Sequence, residues 1–264
     1  MSTYEQFTEF GVDSFGLERT LRLLQSLAHI TLSTPSLLLS SPILPSGLQT
    51  LRSSLNLSRR TIRTFRFLAC FSSAQSLYSA SAPLSLEAWL DVTKMTLLGL
   101  YGLLETVTLP DLAGAEGFFG DEVAARLNAE AQRFWLLALV CGVLAGLLRL
   151  FALEAYVGVP ATGAGFSADE KKGKGGKKVV KEKGEKDEKE KELAAKSAGG
   201  EKKRALLRKL AVEAVDICLP AAALGWVDVD PSVVGWAMLF TTVVSMYDVW
   251  DGVGATMRLK AAKA

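Results

Sequence analysis

The sequence predicts an all-α, membrane-associated helical protein with amphipathic N-terminal helices and about two transmembrane helices. Hydrophobic residues make up 49% of the 264 residues, and the mean hydropathy is +0.24 although 22% of the residues are charged. The charge is segregated, because most lysines lie between Lys171 and Lys203. Elsewhere apolar residues recur at helical spacing, and two uncharged runs approach the length that a bilayer requires.

The N-terminal region, residues 1–132, is predicted to be a set of amphipathic helices. From Phe15 onward, Arg19 and Arg22 take a different helical face from the apolar residues, which are Leu17, Leu21, Leu24, Ala28 and Leu32. Three prolines then turn the chain into a loop that ends at Gly47, because proline lacks the N–H that a helix needs.

The stretch from Leu51 to Tyr78 is predicted to be a basic amphipathic helix that binds membranes. It holds five arginines and no acidic residue. On a helical wheel the arginines and the apolar side chains form neighbouring arcs. Such a helix suits anionic phospholipids, since arginines contact headgroup phosphates while apolar side chains enter the acyl boundary. The residues assigned to lipid binding are Arg59, Arg60, Ile62, Arg63, Phe65 and Arg66.

Amphipathicity alone leaves a second interpretation of this stretch open. A soluble helix that packs its apolar face on a core and exposes its arginines to water has the same pattern. The apolar segment Leu84–Leu109 does not decide between the two, because its uncharged part covers only about half of a membrane span. We expect that segment to lie in the interface or against other helices.

A first transmembrane helix is predicted at residues 133–157. Its uncharged run begins at Phe134 and reaches about 20 residues when it is extended to Leu153, the length that crosses a bilayer. Gly142 and Gly146 form a small-xxx-small pair within it, which lets two helix backbones approach closely in lipid. We assign this pair to self-association, although glycines are frequent enough in such helices for the spacing to arise by coincidence.

A second transmembrane helix is predicted at residues 231–250, within a C-terminal helical region of residues 205–264. This run is uncharged from Pro231 to Tyr247, and tryptophans stand near its edges, as is typical of membrane interfaces. Between the two predicted spans, residues 158–204 are rich in lysine, glutamate and glycine. They hold too few apolar residues to form a core, which predicts a disordered linker.

The composition argues against metal, cofactor and enzyme chemistry. The cysteines Cys70, Cys141 and Cys218 are far apart, and His29 is the only histidine, so neither a disulfide framework nor a zinc site is expected. No Ser/His/Asp or paired-carboxylate constellation is recognisable, and we expect no cofactor. The acids interleaved with the lysines also argue against nucleic-acid binding.

Three blocks of the chain resemble the peroxin-eleven family, whose members elongate and remodel peroxisomal membranes. They are FGLERTLRLLQSL at 15–27, LSRRTIRTFRFLACF at 57–71 and VVGWAMLFTTVVSMYDVW at 233–250. The matching positions are Gly16, Arg19, Leu21, Arg22, Leu23, Leu24, Gln25, Ser58, Arg59, Arg60, Arg63, Gly235, Ser245, Tyr247 and Trp250. The family pattern is not matched at Leu17, Ser26, Phe65 and Arg66. With these departures the chain resembles a divergent, fungal-type branch of the family.

The resemblance implies a non-enzymatic protein of the peroxisomal membrane that promotes peroxisome proliferation and fission. It implies that a basic amphipathic helix inserts into the cytosolic leaflet, that the protein forms homo-oligomers, and that it helps to recruit organelle-fission machinery. Shallow insertion expands one leaflet relative to the other, which favours curvature. We expect a multi-pass or partly interfacial protein whose termini face the cytosol, with the charged tract on the other side.

Two other functions stay open at this point. The same helices could form a pore or carrier for small metabolites, although the predicted spans hold hardly any of the polar residues that mark a pathway. A soluble helical adaptor is the third interpretation, and extraction with carbonate would separate it from an integral membrane protein.

Overall fold

The computed structural model describes residues 2–34, 44–80, 85–115, 118–157 and 200–263. These residues form helices joined by turns, with no β-strand among them. Two of the helices are long and apolar enough to cross a membrane. The predicted all-α class with two candidate transmembrane helices is therefore confirmed. Most of the predicted linker, residues 158–199, lies outside the described residues.

The helices follow one another in chain order, and some of them begin with a side-chain cap. Asp13 caps the second helix, because its carboxylate accepts the backbone N–H groups of Phe15 and Gly16, both at 3.0 Å. The helices are α1 (Thr3–Val12), α2 (Ser14–Ser33), α3 (Leu44–Ile62), α4 (Arg66–Ala80), α5 (Leu86–Val107), α6 (Leu109–Leu112), α7 (Asp121–Val157), α8 (200–216), α9 (Cys218–Ala223) and α10 (Pro231–Lys263).

The stretch predicted as one helix from Leu51 to Tyr78 is divided in the structure. α3 ends at Ile62 and α4 begins at Arg66. The backbone turns here through hydrogen bonds between residues three apart, such as Arg63 N to Arg60 O at 3.1 Å. The carbonyl of Thr64 accepts the hydroxyl of Thr106 at 2.7 Å instead of continuing the helical ladder. The break directs α4 along α5.

Neighbouring helices of the bundle run antiparallel. α2 lies between α3 and α10, and α5 lies between α4 and α7. At one level of the bundle the rings of Tyr101 and Trp135 stack with centroids 5.6 Å apart. Further along the same helices, Arg149 Nε donates to Glu87 Oε1 at 2.6 Å. α5 therefore packs against other helices, as the sequence predicts for Leu84–Leu109.

α8 and α9 return along α7 rather than leaving the bundle. Lys203 Nζ lies 3.0 Å from Glu154 Oε1, and Leu210 lies against Gly146 further down. α10 then runs parallel to α7, with Asp248 Oδ1 3.5 Å from Arg208 Nη2. The far end of α10 and both edges of the linker thus share one end of the bundle. The expected topology places the tract and the C-terminus on opposite sides of the membrane, and it stays a prediction.

Candidate functional site

A buried ion pair between α2 and α3 forms the centre of the charged site. Glu18 Oε1 accepts Arg59 Nε at 3.0 Å and Arg59 Nη2 at 2.7 Å. The side chains of Glu18 and Arg59 are only 3% and 8% exposed. Burial raises the pKa of Glu18, but Arg59, Arg19 and Arg63 together outweigh it and lower that pKa to about 2. Glu18 is therefore a carboxylate at neutral pH.

A second carboxylate, Glu105 of α5, holds the end of α3. Glu105 Oε1 accepts Arg63 Nη2 at 2.8 Å and the hydroxyl of Tyr101 at 2.9 Å. Arg60 Nη1 donates to Asn128 Oδ1 of α7 at 3.0 Å. Burial and Glu105 raise the pKa of Tyr101 to about 12, so its hydroxyl keeps its proton. These bonds join α3, α5 and α7 around one polar centre.

A third buried pair joins α2 to the C-terminal segment. Arg22 Nη2 donates to Asp216 Oδ1 of α8 at 2.7 Å and to Thr241 Oγ1 of α10 at 3.1 Å. Lys94 of α5 similarly pairs with Glu213 of α8. Both of these acids of α8, Asp216 and Glu213, are thus paired with cations from other helices.

The arginines predicted to bind lipid face the interior of the bundle. Arg59 is buried, and Arg60 and Arg63 point toward Glu105, so they do not form the open basic surface that the helical wheel predicts. Arg66 lies over the ring of Phe15, with its guanidinium carbon 4.4 Å from the ring centroid. The reason is electrostatic, because carboxylates from α2 and α5 reach the basic face of α3. Lipid binding by these residues stays a prediction.

Unlike these arginines, apolar side chains at the α3–α4 junction face the outside of the bundle. Phe65 is 74% exposed and Leu68 is 56% exposed, while Ile62 is half-buried. These residues form an apolar corner on the outside of the bundle, defined here as Ile62, Phe65 and Leu68. Of the residues assigned to lipid insertion, Phe65 is thus fully accessible to a membrane.

Gly142 and Gly146 are covered by α8 of the same chain. A Cβ atom at Gly142 would meet the carboxylate of Glu213 and would lie 2.7 Å from Lys94 Nζ, and one at Gly146 would lie 3.0 Å from Leu210 Cδ1. The small-xxx-small pair therefore serves close packing within the chain. Self-association through this pair stays a prediction, and in this arrangement a second copy would have to displace α8.

A cavity of about 530 Å³, the arginine cavity, lies between α2, α3, α5, α7 and α10. Arginines dominate its wall, which also includes His29, Asn56, Tyr101, Asn128 and Gln132. A second cavity of about 310 Å³ lies beside it and shares Arg22, Arg63 and Glu105. The arginine cavity lies where α3 meets the first half of α7, and the second cavity lies between α2, the start of α4 and α5.

The inward-facing polar stripe of α2 was not predicted from the sequence. Glu18, Arg22, Gln25 and His29 follow the spacing of one helical face, and that face contains the buried Glu18 and Arg22. Leu17 and Leu24 of the predicted apolar face lie on the outside, as does Leu27, whereas Ala28 of that face is buried. The polar stripe was visible in the sequence, but hydropathy does not reveal which face of an amphipathic helix points inward.

Both candidate membrane spans also expose their apolar faces. In the most apolar windows of α7 and α10, only 28% and 17% of the residues are buried. A core helix of a soluble protein would be mostly buried. The outward stripe of α10 consists of Val233, Trp236, Phe240, Val243 and Tyr247. Buried ion pairs together with exposed apolar faces are typical of a helical membrane protein.

The family to which this membrane protein belongs is shown by its sequence. Residues 4–250 match the family model described as Peroxisomal biogenesis factor 11 (PEX11), and the chain belongs to that family. No curated protein and no solved structure matches the chain. Membership confirms the resemblance and implies a peroxisomal membrane protein that takes part in peroxisome proliferation. The family is one of structural biogenesis factors rather than enzymes.

Proposed function

We propose that this protein remodels and elongates the peroxisomal membrane, and thereby promotes peroxisome division, by inserting the junction of α3 and α4 into one leaflet. The observation that carries the proposal is the exposed apolar corner beside a group of arginines. Phe65 and Leu68 project from the bundle, and Arg66 follows Phe65 directly in the chain. Insertion of such a corner expands the leaflet that it enters and favours curvature.

The outward apolar face of α2 supports a shallow position in the membrane. Phe15, Leu17, Leu24 and Leu27 are exposed, whereas the charged residues of the same helix face inward. Water would favour the reverse arrangement, because exposed apolar area costs roughly 25 cal/mol per Å². A lipid environment removes that cost, and the internal ion pairs satisfy the charges that lipid would not solvate.

Phosphate contact by Arg59, Arg60 and Arg63 is part of the proposal and requires a change of partners. In the bundle these arginines bind Glu18, Glu105 and Asn128. Release of α3 would let them exchange these partners for the phosphates of anionic phospholipids, each basic contact being worth about 1 kcal/mol near such a surface. Homo-oligomers would then concentrate the inserted helices, and the assembled surface would help to recruit the fission machinery.

Vesicle remodelling by the full chain tests the proposal. Reconstituted into vesicles that contain anionic phospholipids, the protein should elongate them into tubules visible by electron microscopy. The double variant Phe65→Ser/Leu68→Ser should lose this activity, because the corner can no longer enter the acyl boundary. Leu259→Ser is the matched control, since Leu259 is 65% exposed but lies far along α10. Equal loss in both variants would reject insertion at this corner.

The arginine contribution can be measured with an isolated peptide of residues 51–78. Arg59, Arg63 and Arg66 changed together to glutamate should abolish its flotation with anionic vesicles, because the change removes attraction and adds repulsion. Equal flotation of the parent and the variant peptide would show that these arginines are not the lipid contacts.

The arginine cavity favours a second function, a pore or carrier for small metabolites. The cavity brings polar side chains of α2, α3 and α5 together with Asn128 and Gln132 at the start of α7, and polar residues of this kind mark a pathway. Conductance across a planar bilayer that contains the full chain tests this function. If Ala129→Phe, which fills the cavity wall, lowers the conductance and leaves tubule formation intact, the two functions are separate. The absence of any conductance would reject the pore.

A further inference from the structure

The arginine cavity lies at the level where both candidate spans begin. Its wall includes Asn128 and Gln132 of α7, which precede the uncharged run, and Val234 and Met238 from the start of α10. Its volume of about 530 Å³ lies within the range of small-ligand pockets, about 300–1,000 Å³. The cavity is therefore large enough for a small organic molecule and lies at the edge of the apolar layer.

Positive charge exceeds negative charge around this cavity. Five arginines line it: Arg22, Arg52, Arg59, Arg60 and Arg63. Three carboxylates neutralise them, Glu105 in the wall and Glu18 and Asp216 behind it, which leaves an excess of two positive charges. Arg52 has no acidic partner among the described residues, although it is only half exposed.

Several hydrogen-bond donors at the cavity also lack acceptors. The buried Nε atoms of Arg60 and Arg63 donate to no acceptor in the described part of the chain. Arg60 Nε lies 3.4 Å from Glu105 Oε1, but without the geometry of a hydrogen bond. Buried donors are nearly always satisfied in proteins, so unsatisfied ones call for a bound water or ion. Guanidinium groups are particularly suited to phosphate, whose oxygens accept several N–H groups at once.

The electrostatic environment of His29 agrees with a positive cavity. Burial lowers the pKa of His29, and the charge of Arg52 lowers it further, although the Pro231 carbonyl opposes both. The imidazole is therefore kept neutral, and its Nε2 donates to the Pro231 oxygen at 2.9 Å. A neutral histidine beside an unpaired arginine leaves the positive charge of Arg52 free for a ligand.

We propose that the arginine cavity binds a phosphate monoester, held by Arg52 together with Arg60 and Arg63. The ester group belongs either to a soluble molecule or to a lipid headgroup, since the cavity lies at the level of headgroups. A dianionic phosphate would balance the two excess positive charges. This proposal does not rest on insertion of the apolar corner, because it concerns the interior of the bundle.

Isothermal titration of the detergent-solubilised full chain with glycerol 3-phosphate tests the soluble source. Sedimentation with phosphatidylcholine vesicles that contain phosphatidic acid, compared with vesicles of phosphatidylserine, tests the lipid source. Arg52→Gln should weaken binding of the phosphate roughly tenfold, the change expected when one charge-assisted hydrogen bond is lost. Ala129→Phe should abolish it without changing the charge, because the ring would occupy the cavity.

The matched control is Arg126→Gln, which removes the same charge from an exposed position on α7. Among the described residues Arg126 pairs only with Glu122, on the surface, where both side chains are more than three-quarters exposed. Binding of glycerol 3-phosphate that is lost in Arg52→Gln and kept in Arg126→Gln supports a soluble ligand. If the chain binds phosphatidic acid vesicles but not glycerol 3-phosphate, and this binding is lost in Arg52→Gln and kept in Arg126→Gln, the ligand is a lipid headgroup. Binding of neither probe, or equal weakening by Arg52→Gln and Arg126→Gln, would overturn the proposal.

Phe65→Ser/Leu68→Ser separates this proposal from membrane remodelling. That variant should keep its binding of glycerol 3-phosphate or, in the lipid case, the preference for phosphatidic acid over phosphatidylserine. If it lost this binding together with tubule formation while it remained folded, the cavity would not be an independent site.

Discussion

Replacement of Glu18 by glutamine should destabilise the bundle more than any exposed ion-pair variant. The change removes the negative charge that faces Arg59 and Arg19, and it leaves Arg63 with Glu105 as its remaining acidic partner. Removing one partner of a buried ion pair typically costs about 3–5 kcal/mol, because the remaining charge stays buried and uncompensated. Glu122→Gln, which breaks an exposed pair, should cost at most about 1 kcal/mol.

Urea unfolding of the purified chain in detergent, followed by circular dichroism, measures both variants. The sign of the pH dependence follows from the lowered pKa of Glu18. Stability supplied by its carboxylate is complete above the ordinary value of 4.5 and is lost as the pH falls toward about 2. The difference between the parent and Glu18→Gln should therefore shrink over this acid range. Equal unfolding midpoints for Glu18→Gln and Glu122→Gln at neutral pH would refute the electrostatic reasoning.

Three further predictions concern α7, α8 and the linker. Gly142→Leu should lower the free energy of unfolding by about 1–3 kcal/mol, because its side chain would meet Glu213 of α8, and an unchanged urea midpoint would contradict that packing. Deletion of residues 173–197 should leave the protein in the carbonate-resistant membrane fraction, since this stretch supplies no apolar face; a soluble variant would reveal a structural role for it. Tags at Gly175 and Ala264 should be digested together or protected together in intact organelles, because both edges of the linker share one end of the bundle with the far end of α10. Digestion of one tag alone would show that α8 does not return along α7 in the membrane.

The helical class and the candidate spans could be predicted because they depend on local properties. Proline placement, helical periodicity and the apolar runs of α7 and α10 are all visible within short windows. The break at residues 63–65 was not predicted, since it depends on a hydroxyl from Thr106 on another helix. Local sequence patterns therefore predict which segments are helical, but they do not predict that α3 ends at Ile62.

The charged site was less accessible to sequence reasoning because its partners are distant along the chain. Arg22 and Asp216 are separated by 194 positions, and Arg63 and Glu105 by 42. The wheel grouped the arginines correctly on one face, but whether that face meets water, lipid phosphate or carboxylates depends on which helices pack against it. The same dependence on neighbouring helices explains why Glu18 and Arg22 of α2 face inward while Leu17 and Leu24 are exposed.

The return of α8 along α7 has a consequence for how the gene can be divided. Because Lys203 lies beside Glu154, the edges of the linker are close together, and the contacts of α8 with α2, α5 and α7 do not depend on what joins them. Doubling the length of such a loop costs only about 0.6 kcal/mol in closure entropy. Insertions or whole domains can therefore accumulate between residues 158 and 199. We expect two separately expressed fragments, one ending and the other starting in this interval, to reassemble through the buried ion pairs. The interval is therefore a suitable place to split the protein into complementing halves.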